Sequence, residues 1–160
     1  MTVKTINQWI DIKPSMLGKN FKHNLTKQLE SIILKKCTSN HGHVLKLLDI
    51  HKINDNYIAN SSSDIMVYVT FTIDSFNPAD TNDEIITSDV CAIYESGILV
   101  DVYNTQKVLI PSSTYLNEYS FENNILVGKT KKIQVGDELN IKISATKYDN
   151  HRFSCLGVIV

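Results

Sequence analysis

The chain has 160 residues, with 42% hydrophobic and 21% charged side chains and a formal net charge of −1. This length accommodates one domain or two small ones, and the composition is that of a globular protein, which excludes the fibrous and disordered classes. The near-zero charge argues against a protein that coats nucleic acid, and no apolar stretch approaches the ~20 residues of a membrane-spanning helix.

The first residues, Met1-Thr2-Val3-Lys4-Thr5, lack the apolar run of a signal peptide. Ile6 to Ile12, containing Trp9 and Ile10, reads as a strand. Pro14 ends it, because proline has no N–H for a ladder and holds Lys13 extended. Pro14 to Gly18 is then a loop with two apolar residues, Met16 and Leu17. Such residues are either tucked under the domain or presented to a partner, and spacing alone does not choose. From Phe21 to Cys37 the pattern is helical: Leu25, Leu29, Ile32 and Ile33 form a stripe, while Lys22, Lys27, Glu30 and Lys35 face away. Lys35 and Lys36 suit the negative end of the helix dipole, and Asn40 with Gly42 supplies the stop.

Val44 to Ile53 reads as a strand buried on much of both faces, with Asp55-Asn56 as a turn and Tyr57-Ile58-Ala59 as a short return. Ser61-Ser62-Ser63 is a loop. Ile65 to Ile73 alternates over nine residues, with Ile65, Val67, Val69, Phe71 and Ile73 on one side and Met66, Tyr68, Thr70 and Thr72 on the other. The half is β-α-β-β-β, one helix on one antiparallel sheet. Ser75 to Asp83, with Pro78, reads as a boundary. It divides the chain into domains at 1–77 and 84–160, joined by a linker at 78–83.

Beyond the boundary the helical signal disappears. Ile85–Tyr94, Ile98–Tyr103 and Val108–Ile110 are strand-like, separated by turns at Glu95-Ser96-Gly97 and Asn104-Thr105. Pro111 to Asn124 reads as a polar connection. Leu139–Ala145 and Phe153–Val160 supply two more strands, with a loop from Lys147 to Arg152 between them. Five strands with an excursion after the third fit an OB-fold barrel. Such barrels bind single strands on the face of their second and third strands and through two loops, stacking bases on aromatics. Tyr94, Tyr103, Lys107, Lys147, Tyr148, His151 and Arg152 are the candidate RNA-contacting residues. The competing reading is that Tyr94, Tyr103 and Phe153 only pack the barrel or a partner. The chain halves carry charges of roughly +2 and −3, so the barrel half is the more acidic one and any RNA contact is weak.

Gly128-Lys129-Thr130 has the ending of a phosphate-binding loop, but Asn123 stands where the loop needs its first glycine, and the surroundings are all β. Cys37, His41 and His43 offer three metal ligands without a fourth nearby, against a plain reading as a buried cysteine and a polar turn. His23, His51 and His151 have no nucleophile or carboxylate at a recognisable spacing, so no catalytic residue, metal or cofactor is expected. Three widely spaced cysteines suit a reducing compartment. The Asn24 and Asn60 glycosylation sequons are chance matches in that setting.

In order and spacing, several short pieces resemble the seventh-subunit (stalk) family of eukaryotic and archaeal DNA-directed RNA polymerases. They are Pro14-Ser15 and Gly18 before the helix, Cys37-Thr38 and Gly42 after it, Val44 through Asp49, and Pro78. Further on come Glu84-Ile85-Ile86, Gly97 before Ile98-Leu99-Val100, Val135-Gly136-Asp137 and Leu156-Gly157. The resemblance spans essentially the whole chain. It implies a truncated RNP-like tip domain followed by an OB-fold, and a non-catalytic subunit rather than an enzyme. It further implies that Pro14, Ser15, Met16, Leu17 and Gly18 bind the polymerase core, between clamp and body, and that the OB-fold meets nascent RNA. The implied partners are the largest and second-largest polymerase subunits and a fourth-subunit-like stalk protein, with no membrane. The Ile, Asn and Lys bias and the compact length imply a reduced version from a large DNA virus or an A/T-rich protist. A cellular version would be nuclear; a viral one would occupy the virion and the cytoplasmic transcription site. The alternative from another class is a free-standing single-stranded RNA-binding OB-fold protein, which would bind RNA alone with a steep salt dependence.

Overall fold

A computed structural model gives the fold and describes residues 2–34, 36–58 and 64–160. Among these the chain is mostly β, with one α-helix, and it forms two compact units. The first runs through Cys37 and again from His43 to Phe76; the second comprises Thr38–Gly42 and Asn77–Val160.

Apart from Thr38 and Gly42, the first unit holds β1 (Thr2–Ile12), α1 (Phe21–Ile33), β2 (Cys37–Thr38), β3 (Gly42–Ile58) and β4 (Ile65–Phe76), in the sheet order β1-β4-β3-β2. β1 and β4 pair antiparallel from Thr2 opposite Ser75 to Ile12 opposite Ile65. Alternation along both strands sends Ile10, Ile12, Val67, Val69, Phe71 and Ile73 to one face. There they form a core with Leu25, Leu29 and Ile33, the i, i+4, i+8 stripe of α1. The opposite face carries Asn7, Trp9, Tyr68 and Thr70.

Three local expectations are corrected. The helix ends at Ile33, not Cys37: Leu34 is already extended at ψ 140°, and Cys37 lies in β2. The stripe is complete at Ile33, and the residues that follow gain more from the sheet, where Val44 N–H donates to the Lys36 carbonyl at 3.3 Å. Asp55-Asn56 is not a turn, and Tyr57-Ile58 is not a separate return strand. β3 runs straight through and pairs with β4 as far as Ile58 opposite Ile65. Its polar residues are absorbed by ladder neighbours; Asn54 Nδ2, for example, donates to Thr70 Oγ1. The expectations for Lys35, Ala59, the Asn60 sequon and the Ser61-Ser62-Ser63 loop lie outside the described residues.

The second unit is built on β5 (Ile86–Tyr94), β6 (Gly97–Val102), β7 (Gln106–Pro111), β8 (Tyr119–Glu122), β9 (Ile125–Gly128), β10 (Lys132–Ile133), β11 (Glu138–Asp149) and β12 (Arg152–Ile159). Five of these close a barrel in the order β11-β12-β7-β6-β5, with β11 pairing back onto β5. The β12–β7 pair is parallel and the other four are antiparallel. Inward positions are apolar: Val90, Ile98, Val100, Val108, Ile110, Ile141 and Cys155 are buried.

The stretch from Pro111 to Asn124 is not a plain connection. It contains a 3-10 turn at Ser112–Thr114 and then β8, the first strand of a separate sheet, β10-β9-β8. Asn123 and Asn124 both adopt left-handed conformations (φ 50° and 61°), which closes the β8–β9 hairpin in two residues. The loop expected from Lys147 to Arg152 shrinks in the same way. Lys147, Tyr148 and Asp149 continue β11 into pairing with β12, and only Asn150 and His151 turn, at φ 49° and 61°.

Candidate functional site

The Pro14–Gly18 loop is set by its own backbone. Pro14–Met16 makes one 3-10 turn, with Met16 N–H donating to the Lys13 carbonyl at 2.9 Å and Leu17 N–H to that of Pro14 at 3.1 Å. Asn24 on α1 ties the turn down from below, its Nδ2 donating to the Met16 carbonyl at 3.2 Å. Gly18 sits at φ +136°, a conformation open to glycine and strained for other residues, and its carbonyl accepts from Phe21 N–H as the helix begins. The two apolar residues part company. Met16 packs partly buried against the core, whereas Leu17 is 50% exposed. Leu17 stands at the lip of an apolar groove of about 300 Å³ shared with Ile12, Phe21, Ile53, Ile65 and Val67.

On the second unit the strand register gathers most of the RNA-contact candidates at one end of the barrel. Lys107 lies opposite Asp101 on β6, and on its other side Val108 pairs with Cys155, which sets Lys107 beside Ser154. Ser154 in turn pairs with Lys147. Lys107, Ser154 and Lys147 therefore form a row on the outer surface, with Arg152 and His151 just beyond it at the β11–β12 turn. Tyr148 packs on Phe153 at a ring separation of 5.0 Å. Gln106 braces this end from inside, its Nε2 donating to the carbonyls of Phe153 (3.0 Å) and Lys107 (2.7 Å). Tyr103, 41% exposed, occupies the left-handed first position of the β6–β7 turn at the same end. Tyr94 does not join them. It is 55% exposed at the β5–β6 turn, at the other end of β6.

Lys107 is the best-anchored of the basic side chains. Its Nζ donates to Cys91 Sγ at 3.3 Å and lies 3.5 Å from Asp101 Oδ2. The sulfur contact first, and then the Asp101 charge, hold the ammonium above its ordinary range despite some opposing desolvation. It is a fixed cation, paired with Asp101 and not suited to proton transfer.

The other motifs resolve into structure. Gly128 ends β9, and its N–H donates to the Lys131 carbonyl at 2.8 Å, so Gly128-Lys129-Thr130 opens a hairpin into β10. Cys37 Sγ lies 3.8 Å from His43 Nε2, and the described residues contain no group of three His, Cys, Asp or Glu side chains placed to hold a metal. His51 Nε2 bonds Thr72 Oγ1 on the open sheet face, with Nδ1 4.0 Å from Asp49 Oδ2.

An aromatic cluster on that same face escaped sequence reasoning. Trp9 lies between Tyr57 and Tyr68, with ring centroids 5.2 and 5.0 Å away. Trp9 and Tyr68 each fall on the outward phase of their strands, but only the β1–β4 register makes them neighbours.

No family model matches the chain. The apo form of Mycoplasma genitalium RNase R shares 23% identity over 49% of this chain and 13% of its own, with a TM-score of 0.39, too low to bear on fold or activity. Two curated proteins match almost end to end. DNA-directed RNA polymerase II subunit 7 of Arabidopsis thaliana is 25% identical over 154 residues, which is 94% of this chain and 86% of that protein. DNA-directed RNA polymerase II subunit RPB7 of Glycine max is 23% identical over the same shares. Over nearly its whole length, then, the chain resembles the subunit 7 proteins of DNA-directed RNA polymerase II.

Proposed function

We propose that the chain is a non-catalytic stalk subunit of a multisubunit DNA-directed RNA polymerase, nuclear in a cellular host. It docks on the clamp and core through its first unit and touches nascent RNA through its second. The carrying observation is the end-to-end likeness to two RNA polymerase II subunit 7 proteins, which spans both units and not one module. In this reading residues 1–77 are a truncated RNP-like tip, 78–83 the linker and 84–160 an OB-fold. The OB assignment is supported by the five-stranded barrel with its one parallel closure between the third and last strands.

Pro14, Ser15, Met16, Leu17 and Gly18 form the docking loop. The exposed Leu17 side chain and the apolar groove beside it support that role. Lys107, Lys147, Tyr148, His151 and Arg152, with Tyr103 beside them and Tyr94 farther along, form the RNA-contacting surface. Catalysis belongs to the two largest subunits, and a fourth-subunit-like protein completes the stalk. The test is affinity purification of the tagged chain from its native source with mass spectrometry. Near-equal recovery of the two largest polymerase subunits is expected. Recovery of RNA or ribosomal proteins without them overturns the assignment.

A further inference from the structure

The sheet of the first unit is covered by α1 on one face only, and the other face is built unlike ordinary solvated surface. At the end where β3 and β4 leave the described residues, it carries Trp9, Tyr57 and Tyr68 in mutual contact. Trp9 is 40% and Tyr57 53% exposed. The Tyr57 ring stands at 65° to the indole, edge to face, and the Tyr68 ring is tilted at 36°. Aromatic rings this large are seldom left in water without a partner.

Carboxylates outnumber ammonium groups around the cluster. Asp11 precedes the end of β1 opposite Met66, Asp55 lies opposite Tyr68, and Asp64 stands just before β4 on the same outward phase as Met66 and Tyr68. Asp55 Oδ1 accepts from Asn56 N–H at 2.8 Å, which steadies the carboxylate. The Asp11 carboxyl is raised above its ordinary value by local desolvation first, then by repulsion from Asp64; Lys13 opposes this and is outweighed. Farther along the face Asp49 and Asp74 add two more carboxylates against Lys46 and Lys52. A phosphodiester backbone meets net repulsion here, whereas a cation meets both aromatic rings and carboxylates.

We propose that this helix-free face docks an arginine-bearing segment of a partner protein, with Trp9, Tyr57 and Tyr68 as the stacking platform and Asp11, Asp55 and Asp64 as the countercharge. Arginine fits better than lysine. Its planar guanidinium stacks on an indole or phenol while its N–H fork reaches a carboxylate, and it sheds water more readily than an ammonium. This surface is distinct from the Pro14–Gly18 loop, and its test does not depend on the polymerase assignment.

Trp9 is the chain's single tryptophan, so its indole N–H gives one resonance in a ¹⁵N-labelled sample and reports on the patch alone. The full chain is titrated at physiological salt with a blocked tetra-arginine peptide and, separately, with oligouridylate. A saturable shift of the indole resonance with the peptide is expected. In the Asp11→Asn/Asp64→Asn double variant, whose substitutions are isosteric, the affinity should fall roughly tenfold. Tyr57→Ala, at an exposed position, should weaken it by a similar factor. Absence of a saturable shift with the peptide, equal affinity in the double variant, or saturation by oligouridylate in place of the peptide would each overturn the proposal.

Discussion

Tyr115 is only 4% exposed, and its buried hydroxyl has no hydrogen-bond partner among the described residues. The same burial pushes its phenol up from the usual value. A buried hydroxyl with nothing to bond loses its water for no return, so Tyr115→Phe should stabilise the protein by about 1 kcal/mol. Urea unfolding, read as a midpoint shift at constant slope, measures this; a destabilised variant would mean that the hydroxyl has a partner. Asp11 makes the opposite kind of prediction. Its folded-state pKa is raised, so the folded chain holds the proton more tightly than the unfolded one. Its contribution to stability therefore falls as pH rises through the window that opens at the ordinary carboxyl value of 3.8 and extends upward. Asp11→Asn should melt at a higher temperature than the parent near pH 7 and at the same temperature near pH 3. A constant difference across that range would mean that folding does not raise the Asp11 pKa.

Among the elements, β3 was the hardest to read and β4 the easiest, for one physical reason. β4 alternates with period two, as a strand with one buried face must. β3 pairs with it through register shifts between Val44 and Lys46, Leu47 and Asp49, Ile50 and Lys52, and Ile53 and Asp55. Each bulge slips in one extra residue, so the positions opposite the core residues Ile73, Phe71 and Val69 are Leu47, Ile50 and Ile53, spaced by three. No period-two template finds that pattern, and Asp55-Asn56 then passes for a turn. The two-residue hairpins at Asn123-Asn124 and Asn150-His151 were illegible for a related reason. Asparagine and histidine tolerate the left-handed region well enough to close a turn without a glycine to announce it. In the barrel, a β-carbon on Gly157 would lie 2.9 Å from Val108 Cγ1 and 3.1 Å from the Lys142 carbonyl, where β12 passes between its two neighbours. Valine has little rotameric freedom to yield. Gly157→Ala should cost about 1–3 kcal/mol in chemical denaturation, and an unchanged midpoint would show that the closure is slack.

At the scale of the whole molecule, the likeness to RNA polymerase II subunit 7 was legible because it lives in the order of many weak local pieces spread over both units. The surfaces were not legible, because they depend on pairings between strands distant in sequence. Leu17→Asp puts a carboxylate on the exposed lip of the loop without touching the core, so circular dichroism should be unchanged. If the loop docks on the polymerase, burying that charge should cost several kcal/mol and reduce association at least ~100-fold. Stoichiometric copurification of the variant with the large subunits would remove the loop from the interface.

The division of the chain into its two units carries a consequence for dissecting it. Residues Thr38–Gly42 group with the second unit although the chain on either side of them groups with the first. Asn77 Nδ2 donates to the carbonyls of Ser39 and Asn40 at 3.4 and 3.3 Å, and its Oδ1 accepts from Ala79 N–H. A single proteolytic nick or stop codon near the boundary therefore does not yield two self-sufficient halves. An N-terminal fragment ending at Phe76 keeps the Thr38–Gly42 excursion but loses Asn77, the side chain that receives it. A C-terminal fragment beginning there lacks five residues of its own unit. Exchanging the second unit for that of a relative would have to carry the excursion across with it, as a graft at two places along the chain.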